Sequence, residues 1–125
     1  ELYKGILNDN ATGVFNGKIF VRQLAQKTNA YQSNKNILLS DSSSVNTKPQ
    51  LEIFADDVKC THGCTVGRLN EEGLFYLQSR GISEKTARNL LLGAYASDIL
   101  EQVKPEALRV YVEKLINHRL EKDLS

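Results

Sequence analysis

The chain has 125 residues, of which 41% are hydrophobic and 25% charged, with a formal net charge of +1. That is enough for one domain with a real core, or for a piece of something larger, and it leaves no bulk electrostatic case for nucleic acid or an anionic membrane. No apolar run approaches the ~20 residues of a membrane span, and no charged-then-apolar leader opens the chain. Two cysteines in a mostly polar chain suit a reducing compartment, so cytoplasm is the expected location. The absence of any Met points to a processed or truncated product.

From Glu1 to about Val58 the apolar residues come in bursts too short for helices. Leu2-Tyr3, Ile6-Leu7, Val14-Phe15, Ile19-Phe20-Val21, Ile37-Leu38-Leu39 and Leu51-Glu52-Ile53-Phe54 are each strand-sized. Between them Asn8-Asp9-Asn10, Asn16-Gly17, Asn34-Lys35-Asn36 and Ser40-Asp41-Ser42-Ser43-Ser44 read as turns. Asn16-Gly17 predicts a hairpin or a tight corner, because both residues tolerate positive φ. Arg22 to Tyr31 is the exception, a stretch able to hold a helical turn.

Counted from Ile6 through Ile19, Ile37 and Leu51 to Val66, the bursts recur at intervals of 13, 18, 14 and 15 residues. Such spacing fits coils of roughly constant circumference, stacked as in a β-solenoid so that each buries its neighbour's apolar face. An antiparallel sandwich with ordinary loops fits the same spacing.

From Asn70 the pattern is helical. Glu71 to Gln78 makes a short helix with Leu74 and Leu77 beside Phe75 and Tyr76, ended near Gly81 by a C-cap signal. Ser83 is a good N-cap for the next segment. There Ala87, Leu90, Leu91 and Ala94 form one apolar stripe, and Leu92, Ala96, Ile99 and Val103 form a second on nearly the opposite side. Either the helix is covered from two sides, with the second stripe facing a partner, or a break near Gly93 turns both stripes to one core. Lys104-Pro105 restarts a helix whose stripe is Leu108, Tyr111, Val112 and Leu115, flanked by Ile116. His118 falls at the edge of that stripe, as a surface or boundary residue, and Glu121 to Ser125 reads as a fraying tail.

The boundary stretch Asp56-Asp57-Val58-Lys59-Cys60-Thr61-His62-Gly63-Cys64 gathers both cysteines and one of the two histidines. If it is extended, Cys60, His62 and Cys64 all point to one face, because side chains alternate with period two. Residues two apart lie roughly 6.5–7 Å apart at Cα. Cys60 with His62, or His62 with Cys64, can therefore share one ion, and all three only if the backbone bends at Gly63. Three ligands still leave a tetrahedral site incomplete, so an open site completed by a partner is favoured over a closed zinc site. A disulfide is disfavoured, since a strand holds the two cysteines too far apart. Asp56-Asp57 is either a solvated turn or a charge balance for the site. No phosphate-binding glycine loop, nucleophile elbow or paired-His zinc motif is present in the sequence, and the chain is expected not to be an enzyme.

Lys48-Pro49-Gln50-Leu51-Glu52-Ile53, then Ala55-Asp56-Asp57-Val58-Lys59-Cys60-Thr61-His62-Gly63, Thr65-Val66-Gly67 and Leu74-Phe75-Tyr76-Leu77-Gln78-Ser79-Arg80-Gly81-Ile82 resemble the C-terminal region of the SufB/SufD family. These proteins are components of an iron–sulfur cluster assembly machine, and the resemblance covers about residues 36 to 117. It is to the SufD branch, because the SufB branch carries a Glu-His-Glu-Ala-Thr type sequence where this chain has Cys60 to Thr65. The resemblance implies a mainly β fold with α: a right-handed parallel β-helix (β-solenoid) in residues 1–69, followed by a small C-terminal helical domain in residues 70–125. It implies a heterodimer with SufB and docking of the ATPase SufC on the helical domain, for which Leu92, Ala96, Ile99 and Val103 are the candidate residues. It also places Cys60 and His62 at the SufB interface as ligands of a transient iron–sulfur cluster, with no tightly bound cofactor in the isolated chain. Cys64 stands where the family has a small residue such as Ala, so its role is packing or that of an accessory thiol. An uncovered β edge would also let two copies of the isolated chain pair.

Overall fold

The computed structural model describes residues 1–123 and divides into two compact units, one of residues 1–68 and one beginning at Leu69. The first unit contains five strands: β1 (Leu2–Leu7), β2 (Thr12–Val21), β3 (Asn29–Leu38), β4 (Ser44–Ile53) and β5 (Lys59–Arg68). They form a three-stranded sheet in the order β1-β3-β5 and a two-stranded sheet of β2 and β4, with every pairing parallel. Neither sheet closes on itself. Consecutive strands never pair; each pairs with the strand two further on. Leu2 lies beside Ser33, Thr12 beside Ser44 and Asn29 beside Lys59, offsets of 31, 32 and 30 residues. The intervals of 13 to 18 residues thus separate strands of opposite sheets, and the pairing period is about twice as long. Parallel pairing excludes the antiparallel sandwich.

Alternation fixes which side chains lie between the sheets. In β2 the half-buried positions are Gly13, Phe15, Gly17 and Ile19, ending in buried Val21. In β4 they include Val45, Thr47, Pro49 and Leu51. Tyr3 of β1 meets Phe15 there, ring centroids 4.8 Å apart. Pro49 is tolerated inside β4 because, among the described residues, that strand pairs on one side only.

Two expected turns are strand instead. Asn16-Gly17 lies in the middle of β2, beside Lys48 and Pro49, and neither residue has positive φ. Gly17 is needed there for space: a Cβ would sit 2.5 Å from Gln32 Oε1 and 2.6 Å from Phe15 Cζ. Asn34-Lys35-Asn36 lies within β3, and both asparagines are buried. Their amides find partners along the strand, where Asn36 Nδ2 donates to Asn34 Oδ1 at 2.7 Å. Nor does Arg22–Thr28 form a helix; it is a run of turns, with Lys27 at φ 61°.

The genuine corners hold one another. The backbone carbonyl of Asp9, itself at φ 53°, accepts from the hydroxyls of Ser40 and Ser42, each at 2.6 Å. The backbone of Asp57 is held at both ends: its carbonyl accepts from Lys27 N–H at 2.6 Å, and its N–H donates to Gln26 Oε1 at 3.0 Å. Turn residues some 30 positions apart thus satisfy each other's backbone groups, as parallel stacking requires.

The second unit consists of α1 (Glu71–Ser79), α2 (Glu84–Leu100) and α3 (Glu106–Asp123). Asn70 caps α1 by accepting from Gly73 N–H, and Gly81 follows it at φ 85°. Ser83 caps α2 by accepting from Thr86 N–H at 3.3 Å. α2 runs unbroken through Gly93, so the alternative of a break there does not occur. Its buried residues are Ala87, Leu92 and Leu100. In α3 the inward face is Val112, Ile116 and buried Leu120. The expected stripe is rotated outward: Leu108, Tyr111 and Leu115 are about half exposed. Pro105 stands just before α3, its carbonyl accepting from Arg109 N–H. Glu121 and Lys122 continue the helix, while Leu124 and Ser125 of the expected tail lie outside the described residues.

Candidate functional site

β5 carries the chemistry. Every residue from Lys59 to Arg68 has a partner in β3, so the strand is continuous, without a bulge or a bend at Gly63. Cys60, His62 and Cys64 therefore share one face, in register with Ala30, Gln32 and Asn34. Cys60 is half-buried, whereas His62 and Cys64 are exposed. Both cysteines are free thiols. Cys60 and Cys64 are two strand repeats apart, about 13 Å, which rules out both a disulfide and a three-ligand site on one ion in this conformation.

The neighbouring strand gives that face an unusual lining. Gln32, Asn34 and Asn36 are 1%, 3% and 5% exposed, three buried amides at period two. Asn36 also reaches the Thr65 carbonyl of β5 at 3.4 Å, tying the two strands together. The sequence reading missed this row, because Asn34 and Asn36 resemble turn residues; the signal was the alternation Gln32, Asn34, Asn36 continuing past Lys35.

Asp56 and Asp57 are exposed at the corner before β5. Among the described residues no group of three or more His, Cys, Asp or Glu side chains converges as a complete metal site. Cys60 and His62 have the donor chemistry and spacing to fill two positions on iron, leaving the remainder to donors from elsewhere.

In the helical unit Leu92 is wholly enclosed by its own surroundings and has no surface to offer a partner. Ala96, Ile99 and Val103 are half-buried. Leu90, Leu108, Val110, Tyr111 and Leu115 are the exposed large apolar residues of α2 and α3. A groove of about 570 Å³ runs between these helices, lined in part by Leu90, Gly93, Ala94 and Ser97. His118 is exposed.

Residues 1–95 match the model of the family described as SUF system FeS cluster assembly, SufBD core domain. The chain belongs to this family. It is 46% identical over 120 residues to the iron-sulfur cluster assembly protein SufD of Escherichia coli, covering 96% of this chain and 28% of the relative. It is 44% identical to an iron-sulfur cluster assembly SufBD family protein of Synechocystis, over 95% of this chain and 26% of that protein. A third relative is the chloroplastic protein ABCI7 of Arabidopsis thaliana, 41% identical over 87% of this chain and 23% of its own length. The chain thus spans about a quarter of the length of these relatives. The family match begins at the first residue, well upstream of the stretch that carried the resemblance, and ends inside α2. No helix among the described residues is long and apolar enough to cross a membrane.

Proposed function

We propose that this SufBD-family chain acts as a non-catalytic scaffold in cytoplasmic iron–sulfur cluster assembly, with Cys60 and His62 offering a thiolate and an imidazole to a cluster completed by a SufB-like subunit. The cluster is cargo, built and passed on. The carrying observation is that Cys60 and His62 lie on one face of β5, a strand that pairs on one side only among the described residues. Two donors are half of a tetrahedral set, so the remaining positions fall to donors outside these residues, here assigned to the second subunit. The offsets of 30 to 32 residues and the alternation between two parallel sheets support reading residues 1–68 as coils of a right-handed parallel β-helix. The exposed apolar residues Leu90, Leu108, Tyr111 and Leu115, with half-buried Ala96, Ile99 and Val103, support the helical unit as the dock for a SufC-type ATPase, which would supply any nucleotide hydrolysis.

The test is cluster loading in the reconstituted complex. Cys60→Ala and His62→Ala should each lower the iron and sulfide bound, while circular dichroism shows the fold retained. Normal cluster yield from both variants would overturn the proposal and leave a structural interaction module in its place.

A further inference from the structure

The groove of about 570 Å³ in the helical unit is lined by a row of residues from each of two helices. On α2 the row is Asn89, Gly93 and Ser97; on α3 it is Glu113, Asn117 and Glu121. Both rows step by four residues, so each follows one side of its helix for two turns, about 12 Å.

Three features of this groove serve nothing within the chain. Gly93 sits in the middle of α2, where glycine is costly, yet nothing lies within 4 Å of a Cβ placed on it. Its missing side chain is not needed for packing; what it provides is close access to the helix backbone from outside. Asn89 Oδ1 is out of contact with solvent and has no hydrogen-bond partner, a costly state for a carbonyl oxygen. No hydrogen bond or ion pair among the described residues engages Glu113 or Glu121.

These unengaged groups share one polarity. The orphaned oxygen and both carboxylates are acceptors, and the carboxylates add negative charge. Ser97 donates its hydroxyl hydrogen to the Ala94 carbonyl at 2.6 Å, so toward the groove it offers lone pairs. The complement of such a lining is a donor with positive charge. A guanidinium suits it better than an ammonium, because its planar fork can reach two acceptor oxygens together. A floor of small residues between two helices is a seat for a third helix. Two copies of this chain meeting groove to groove would set carboxylates against carboxylates, which disfavours a symmetric pair.

We propose that this groove seats a helix of the SufC-type ATPase, whose arginine side chains donate to Asn89 Oδ1 and to the carboxylates of Glu113 and Glu121. Leu90, 52% exposed and lining the same groove, supplies the apolar contact beside them. The inference rests on the reading of the helical unit as the ATPase dock, and adds which surface is used and the charge the partner brings.

The experiment titrates a SufC-type ATPase into the full chain by calorimetry at low and high salt. Glu113→Gln and Glu121→Gln keep the outline of exposed side chains and remove the charge. Each should weaken binding about 10-fold, with the difference shrinking in high salt. Gly93→Leu fills the seat and should abolish binding, while circular dichroism shows the helices retained, leucine being the better helix former. Asn89→Ala should weaken binding yet leave the free chain at least as stable, because the oxygen removed has no partner. Unchanged affinity in both glutamate variants overturns the inference and leaves the ATPase reading standing. A wild-type chain that does not bind the ATPase overturns that reading and this inference together. Self-association seen by analytical ultracentrifugation and lost in Gly93→Leu would give the groove to a second copy, and so overturn the inference.

Discussion

The β unit and the helical unit bury different things. Between the sheets, buried Val21 shares the interior with a row of amides, Gln32, Asn34 and Asn36. In the helical unit the fully or nearly buried residues are Ala87, Leu92, Leu100 and Leu120, all apolar. A helix satisfies its backbone within itself and needs only an apolar stripe to be covered. Parallel strands in register set each position beside its counterpart on the neighbouring strand, so a polar side chain can find its partner along or across the sheet. The contrast teaches where tolerance lies: the helical core should depend on volume, the β core on hydrogen-bond partners.

The largest effect should come from Leu92→Ala, which empties a fully buried site and should cost about 2–5 kcal/mol by denaturant titration. A conservative Leu92→Met should cost under about 1.5 kcal/mol, as volume is kept. In the β unit the order of tolerance should reverse. Asn36→Leu keeps the branched outline of the side chain but leaves Asn34 Oδ1 without its donor, and should cost about 1–3 kcal/mol. A neutral Asn36→Leu would break the comparison.

Gly17→Ala sharpens it, because the added methyl meets Gln32 Oε1 and the Phe15 ring. The expected loss is about 1–3 kcal/mol, with movement of the Gln32 amide visible in its side-chain NH₂ resonances. Gly81→Ala tests backbone alone: φ is 85° and nothing lies within 4 Å of the new Cβ, so a loss of about 1 kcal/mol would be conformational.

The smallest effect is alkaline. Burial, with the Asp98 charge adding to it, pushes the Tyr95 phenol up to about 12. The folded state therefore keeps a proton that the unfolded chain loses near its ordinary value of 10. Stability from this group is fully present below about pH 10 and declines as pH rises through about 12. Tyr95→Phe should flatten that part of the stability profile, read by urea titrations across the range.

The helices were legible because their signals are local. Asn70, Ser83 and Gly81 act on groups three or four residues away, and each does what its type predicts. The face of α3 was not legible: Leu108, Tyr111, Val112 and Leu115 make a fair stripe, but Leu120 and α2 decide that Val112 and Ile116 point inward. Asn16-Gly17 misled for a similar reason. Its turn propensity is real, but ten residues of parallel pairing with β4 outweigh it. Of the site, the common face of Cys60, His62 and Cys64 followed from period two alone.

By itself the sequence determined the change from strands to helices near residue 69, the caps, the spacing of the bursts and the grouping of thiols and imidazole on one strand. These depend on chemistry within a few residues along the chain. Tertiary structure decided that the spacing is half a period, that β5 runs straight through Gly63, and that a glutamine 30 positions earlier stands beside His62. Register joins residues some 30 apart, and only the pairing of whole strands selects which thirty.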